Sequence, residues 1–152
     1  MTSVEEEHKS RKVLEAESLL LGRVTYESFA GAWPNYEGPF ADRMNATAKH
    51  VVSSTLQSLE WNNCSVFSGD VFGQIQSLRG SDGGPILVNG SRTLVHALFE
   101  RGMVDELRLM VFPEILGSGF KVFPESPERI RMRLVESVRF ESGVVENTYR
   151  IA

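Results

Sequence analysis

The sequence predicts an α/β fold with a mixed, mainly parallel sheet that ends in a C-terminal antiparallel hairpin. Three observations predict it. Apolar runs such as LLLG (19–22) and PILVNG (85–90) end in glycine and pass straight into helix-forming sequence, the order of a buried parallel strand and its crossover helix. The β-branched stretches KHVVSS (49–54) and CSVFSG (64–69) recur between helical segments. The segments IRMRLVESVRF and VVENTYRI alternate apolar with polar residues on either side of ESG, the pattern of a hairpin.

Each element follows from local chemistry. Residues 4 to about 18 are strong helix formers, charged on most sides, and read as a surface helix. Residues 19–21 form a short buried strand, and the glycine after them opens a helix over 24 to about 31. A further helix over 40–46 follows the loop PNYEGP. After the strands KHVVSS and CSVFSG comes the helix DVFGQIQSLRG, with Asp70 as its N-cap and Val71, Ile75 and Leu78 on one face. PILVNG is a strand covered on both faces. SRTLVHALFERG is a helix between the N-cap Ser91 and the C-cap Gly102, burying Leu94, Ala97 and Leu98, with His96 lacking an evident partner. VDELRLMVFP is a strand, and EILGSGFKVFPESP is a glycine- and proline-rich loop.

Composition bounds the function. With 152 residues and 41% hydrophobic content the chain is expected to form one domain around one core. A net charge of −4 leaves no basic face for a nucleic acid backbone, so any phosphate it binds should be small and locally held. Cys64 is the single cysteine, so no intrachain disulfide forms, and His8, His50 and His96 lack zinc-ligand spacing; no metal is expected, and a reducing cytoplasm fits. MTSVEEEHKSRK is not a basic-then-apolar leader, and no apolar run approaches the roughly 18 residues that span a bilayer. Neither export nor a membrane is expected.

Chemistry concentrates where strands become helices. Gly22, Arg23 and Thr25 stand at such a junction, where free backbone N–H groups and the positive end of a helix dipole face outward. Glycine admits a close approach, arginine offers a forked donor and threonine a hydroxyl, so the motif is either an anion site or a tight turn beside a solvated arginine. Asn89, Gly90, Ser91, Arg92 and Thr93 repeat the design after a second apolar strand, and Ser53, Ser54 and Thr55 cluster hydroxyls at a third strand end. Taken singly each is also compatible with capping or turn chemistry; together they suit a dinucleotide with several phosphates. Phe29, Trp33, Phe40 and Met44 either line a pocket for a flat heterocycle or pack in the core. Asp105 and Glu106 are adjacent at a strand start and point to opposite faces, which suits capping or a subunit contact. Gly117, Ser118 and Gly119 precede no helix and read as a loop at the site edge.

The order LLLGRVTYESFAGAWP, KHVVSSTL, ILVNGSRTLVHALFERGMVDELRLMVFPEILGSGFKVF resembles the dihydrofolate reductase superfamily, most closely its branch shared with the reductase domain of riboflavin biosynthesis. The resemblance implies a dihydrofolate reductase-like three-layer sandwich and an NADPH-dependent reductase of a pterin-like or ribosylaminopyrimidine-like heterocycle. It places Arg23 near the adenosine 2′-phosphate, Thr25 near the pyrophosphate with Gly22, and Ser53 and Ser54 on the adenosine side. Asn89, Gly90, Ser91 and Arg92 correspond to the turn beneath nicotinamide and pyrophosphate; Asn89 and Ser91 follow the riboflavin-like branch, which argues against folate. Phe29 and Trp33 fall near the substrate.

The resemblance also implies a first strand that this sequence lacks, between PILVNG and DELRLMV, and with it a covering loop. The chain is thus expected to be a single domain, residues 1–152, without that strand. Glu5, Glu6 and Glu7 only approximate the family's carboxylate region, so the catalytic residue stays unassigned. A homodimer is expected to cover the C-terminal sheet. The alternative to a reductase is a non-catalytic nucleotide-binding or structural homodimer of the same fold. No G-x-S-x-G elbow supports a hydrolase.

Overall fold

The computed structural model describes residues 15–56, 59–81, 83–125 and 128–152. The helix expected over 4 to about 18, and Glu5, Glu6 and Glu7 within it, lie almost wholly outside the described residues. The chain divides after Val95 into two compact units. In the first, β1 (Ser18–Gly22), β2 (Ala48–Val52), β3 (Cys64–Phe67) and β4 (Ile86–Gly90) form a fully parallel sheet in the order β3-β2-β1-β4. Helices α1 (Arg23–Ala32) and α2 (Pro39–Ala46) connect β1 to β2, and α3 (Val71–Arg79) connects β3 to β4.

β1 is buried at all five positions, as a central strand covered on both faces must be. Leu19 and Leu21, two apart and therefore on one face, are fully buried against Tyr26 of α1, Met44 of α2 and Val51 of β2. Asp70 caps α3 as expected, its carboxylate accepting from Gly73 N at 3.1 Å. Ile75 is the one member of that helix's expected apolar face that is fully buried.

One core residue is a lysine. Lys49 on β2 is fully buried on the same strand face as Val51, at the C-terminal end of α2. Its ammonium donates to the carbonyls of Asn45, Thr47 and Asn62, each at 2.8 Å, and lies 4.2 Å from the centre of the Trp61 ring. Three donors meet three acceptors, two of them at a helix end where cations are favoured. Burial pulls its pKa down to about 8, with the neighbouring Cys64 pushing the other way.

α4 (Arg92–Glu100) follows β4. It buries Leu94 and Leu98 as expected and also Phe99, whereas Ala97 is half-buried. Gly102 stops the helix at φ +65°, with Met103 N donating to Leu98 O at 2.9 Å. His96, for which the sequence shows no partner, hydrogen-bonds through Nε2 to the Val122 carbonyl at 2.9 Å, a partner 26 residues distant that local sequence does not display.

In the second unit β5 (Glu106–Val111), β6 (Met132–Arg139) and β7 (Val145–Ile151) form an antiparallel sheet in the order β5-β7-β6. The hairpin turns at residues 140–144, where Gly143 has φ +91° and donates to Phe140 O. The expected hairpin is therefore two strands of a separate three-stranded sheet. Glu106 serves as a structural ion-pair partner, 2.9 Å from Arg108 and 3.7 Å from Arg150, its cross-strand neighbour. Gly117, Ser118 and Gly119 lie in the long segment between β5 and β6, whose described residues form neither helix nor strand. Among the described residues β4 and β5 each have one unpaired side, and no helix is long and apolar enough to cross a membrane.

Lys49→Met is expected to cost about 2–3 kcal/mol in urea denaturation at pH 7, because three buried carbonyls lose their donor. Between pH 8 and 10.5 the unfolded lysine holds its proton while the folded one releases it, so wild-type stability should rise relative to Lys49→Met across that window. A variant as stable as wild type at both pH values would contradict this role.

Candidate nucleotide site

The strand order β3-β2-β1-β4 reverses direction at β1: the chain first builds outward through β2 and β3, then crosses to place β4 on the other side of β1. In open parallel sheets the crevice beyond the strand ends at such a reversal is where ligands bind. Both expected phosphate turns stand there, one at the end of β1 and one at the end of β4.

The two turns touch reciprocally. Gly22 has φ −75° and ψ 164°, a conformation open to any residue, so it is the close approach that demands glycine. An added Cβ would overlap Ser91 Oγ and come within 2.9 Å of Ser91 Cβ. At Gly90 both reasons apply: φ is +150°, and a Cβ would sit 2.8 Å from Thr25 Oγ1. Each glycine thus faces the hydroxyl residue of the other turn. The register of β4 slips between its pairs with Leu20 and Leu21, leaving Asn89 as the extra, exposed residue of a bulge that sets Gly90 opposite Leu21. The Ser91 carbonyl accepts from Val95 N at 3.0 Å and starts α4; Arg92 is exposed at its first position. At the head of α1, Gly22 provides no side-chain cap. First-turn N–H groups there are of the kind that anions satisfy.

A cleft of about 430 Å³ gathers the third motif. It is lined by Arg23, by Ser53, Ser54 and Thr55 after β2, and by Ser68 and Gly69 after β3. Arg23 and the serines, 30 residues apart in sequence, therefore share one surface. Their states differ. Ser53 is buried, and its Oγ accepts from the N–H groups of Thr55 and Leu56 at 3.2 and 3.1 Å, so it shapes the loop, whereas Ser54 is exposed. Arg23 is about half exposed and is bound through Nη1 to both carboxylate oxygens of Glu27 at 3.1 and 3.0 Å. Ser68 and Gly69 went unremarked as site residues in the sequence, although SGD after CSVF repeats the strand, small residues, helix-cap order of the other junctions.

Phe29 and Trp33 do not line this cleft. They are half-buried, meet edge-on at 6.5 Å, and continue through Trp33 to Phe40 at 4.9 Å and Tyr36 at 5.5 Å, with Phe29, Trp33 and Phe40 packed on the core. Packing is the role this geometry displays. A larger depression of about 700 Å³ beside Tyr26, Glu60 and Trp61 contains none of the expected cofactor residues.

The assembled groups are glycine faces, hydroxyls and one guanidinium. Among the described residues the cleft lining holds hydroxyls and a guanidinium, with no carboxylate or imidazole. Comparison with known proteins agrees with this architecture: residues 3–146 match the family described as the RibD C-terminal domain. The chain belongs to the RibD C-terminal domain family. Among relatives of this RibD-type chain is the uncharacterized protein YyaP of Bacillus subtilis (strain 168), 27% identical over 139 residues, covering 88% of this chain and 73% of YyaP. Acinetobacter baumannii RibD superposes with a TM-score of 0.73 at 12% identity, over 100% of this chain and 52% of that one. This RibD-type chain thus spans about half the length of that protein. The dihydrofolate reductase of Enterococcus faecalis, solved with NADP(H), superposes with a TM-score of 0.65 at 18% identity, over 99% of this chain and 83% of that one. The fold is dihydrofolate reductase-like, and its fold neighbours include that dihydrofolate reductase and a pyrimidine reductase-like protein of Corynebacterium diphtheriae, with a TM-score of 0.64 at 12% identity over 90% of this chain and 76% of that one.

Gly22→Ala is expected to lower the unfolding free energy by about 1–3 kcal/mol through overpacking against Ser91. Combining it with Ser91→Gly should recover most of the loss in the same urea titration. A single variant with wild-type stability would mean that the two turns do not touch.

Proposed function

We propose that this protein is an NADPH-dependent reductase of a pyrimidine-like or pterin-like heterocycle. The observation that carries the reading is the meeting of two glycine–hydroxyl turns at the point where the strand order reverses, next to a cleft that joins Arg23 to hydroxyls from two further strand ends. Gly22 and Gly90 leave room for backbone to approach a pyrophosphate, and Thr25 and Ser91 supply donors to it. Arg23 and Ser54 would hold the 2′-phosphate, and Ser53 keeps their loop in shape. Asn89, lifted out of register, and Arg92 flank the nicotinamide end.

When bound, the nicotinamide supplies the hydride. The chain's own work is to orient and to exclude water, which suits a site built from backbone and hydroxyls. A reducing cytoplasm, where Cys64 stays a free thiol, is the setting this reading implies.

The second unit extends the proposal to a homodimer. Register places Leu107, Leu109, Val111, Tyr149, Ile151 and Leu134 on one face of the three-stranded sheet, and Glu106, Arg108, Glu146 and Arg150 on the other. Val111 and Leu134 on the apolar face are 59% and 53% exposed. Arg139, opposite Val145 at one end, is the one charge the register puts on this face among the three strands, and the uncharged remainder is complementary to its own copy across a two-fold axis.

In binding titrations NADPH is expected to bind at least tenfold more tightly than NADH, and Arg23→Ala to remove about tenfold from NADPH alone, the lower end for a charge-assisted bond because Arg23 is half exposed. Equal wild-type affinities would overturn the assignment of Arg23. Light scattering should give twice the 17.0 kDa chain mass, reverting to one chain in Val111→Arg with Leu134→Arg; a wild-type mass of 17.0 kDa at micromolar concentration would exclude the dimer.

A further inference from the structure

We infer that Glu27 sets how strongly the cleft prefers a phosphate over a hydroxyl at the 2′ position of a bound nucleoside, an inference that rests on the nucleotide reading above. Arg23 is the first residue of α1, at the positive end of the helix dipole, and the first turn contains no acidic residue. A cation there is disfavoured, and an arginine placed four residues before a glutamate is the weaker order for a helix ion pair. The pair is therefore a poor device for stabilising α1. It is well placed to act on whatever Arg23 faces.

The geometry divides the guanidinium. Nη1 takes both oxygens of Glu27, while Nε and Nη2 make no hydrogen bond among the described residues. Those two nitrogens form an edge suited to bidentate phosphate. The charge, however, is already balanced: a phosphate approaching that edge meets the carboxylate's repulsion together with the guanidinium's attraction. An uncharged 2′-hydroxyl pays no such penalty and can donate to a carboxylate oxygen. Glu27 thus weakens phosphate recognition selectively and narrows the gap between the two kinds of nucleotide. Both side chains are about half exposed, so the coupling is that of a screened surface pair, about two- to fivefold in affinity. Glu27 acts here through Arg23, as a positioning and charge-balancing residue.

Isothermal titration of the full chain with adenosine 2′,5′-bisphosphate and with 5′-AMP tests this. Wild type should prefer the bisphosphate, and Arg23→Ala should lose the preference. Glu27→Gln, which keeps a hydrogen-bonding oxygen without the charge, should tighten the bisphosphate two- to fivefold and leave 5′-AMP unchanged. The readout is the ratio of the two affinities in one protein, so a general loss of fold cancels. A wild-type ratio in Glu27→Gln, with the wild-type preference present, overturns the role of Glu27 and leaves the nucleotide reading intact. Absence of any wild-type preference overturns both.

Discussion

The close contact between two strand ends constrains everything built around the site. β1 and β4 are parallel neighbours, and their exits into α1 and α4 come so close that Gly22 faces Ser91 and Gly90 faces Thr25. Side chains larger than hydrogen at either glycine would force the helices' first turns apart. The bulge at Asn89 serves the same end, because without the slip in register Gly90 would fall beside Gly22 instead of Leu21 and on the opposite face of the sheet. The buried strand β1, with Leu19 and Leu21 locked against Tyr26, Met44 and Val51, holds the contact in place.

Binding is then a matter of local charge within an acidic protein. The net charge is −4, yet the β1 exit presents helix-terminal N–H groups and Arg23, and the adjacent cleft is lined by hydroxyls without a carboxylate. In the proposed reading, anion recognition is confined to this one small surface. At the other end of the sheet Lys49 performs a different task with the same kind of charge, tying the end of α2 to the segment before β3 through three carbonyls.

Much of this was legible in the sequence because the relevant signals are local. Apolar runs ending in glycine, a capping aspartate at 70 and alternation around ESG each act within a few residues, and from β1 onward the expected strands and helices fall within one to three residues of where those signals put them. The turns at 22–25 and 89–92 were legible for the same reason. What required three dimensions was partnership. That Ser53 Oγ is engaged by two backbone N–H groups, that Arg23 is held by Glu27, and that Phe29 and Trp33 meet other aromatic rings on the core all depend on how the chain returns on itself. The burial of Lys49 in the strand KHVVSS is likewise set by partnership, since only the carbonyls converging from α2, residue 47 and residue 62 make it tolerable. Ser68 and Gly69 carried a visible signal of the same form as the other junctions, but their place in the cleft follows from β3 lying beside β2.

The central claim is that the β1 and β4 exits form one phosphate cradle. A crystal structure of the full chain with NADP⁺ tests it most directly. The account predicts the pyrophosphate between residues 22–25 and 90–91, with the 2′-phosphate beside Arg23 and Ser54. A cofactor bound instead in the depression beside Tyr26, Glu60 and Trp61, away from both glycine turns, would contradict it.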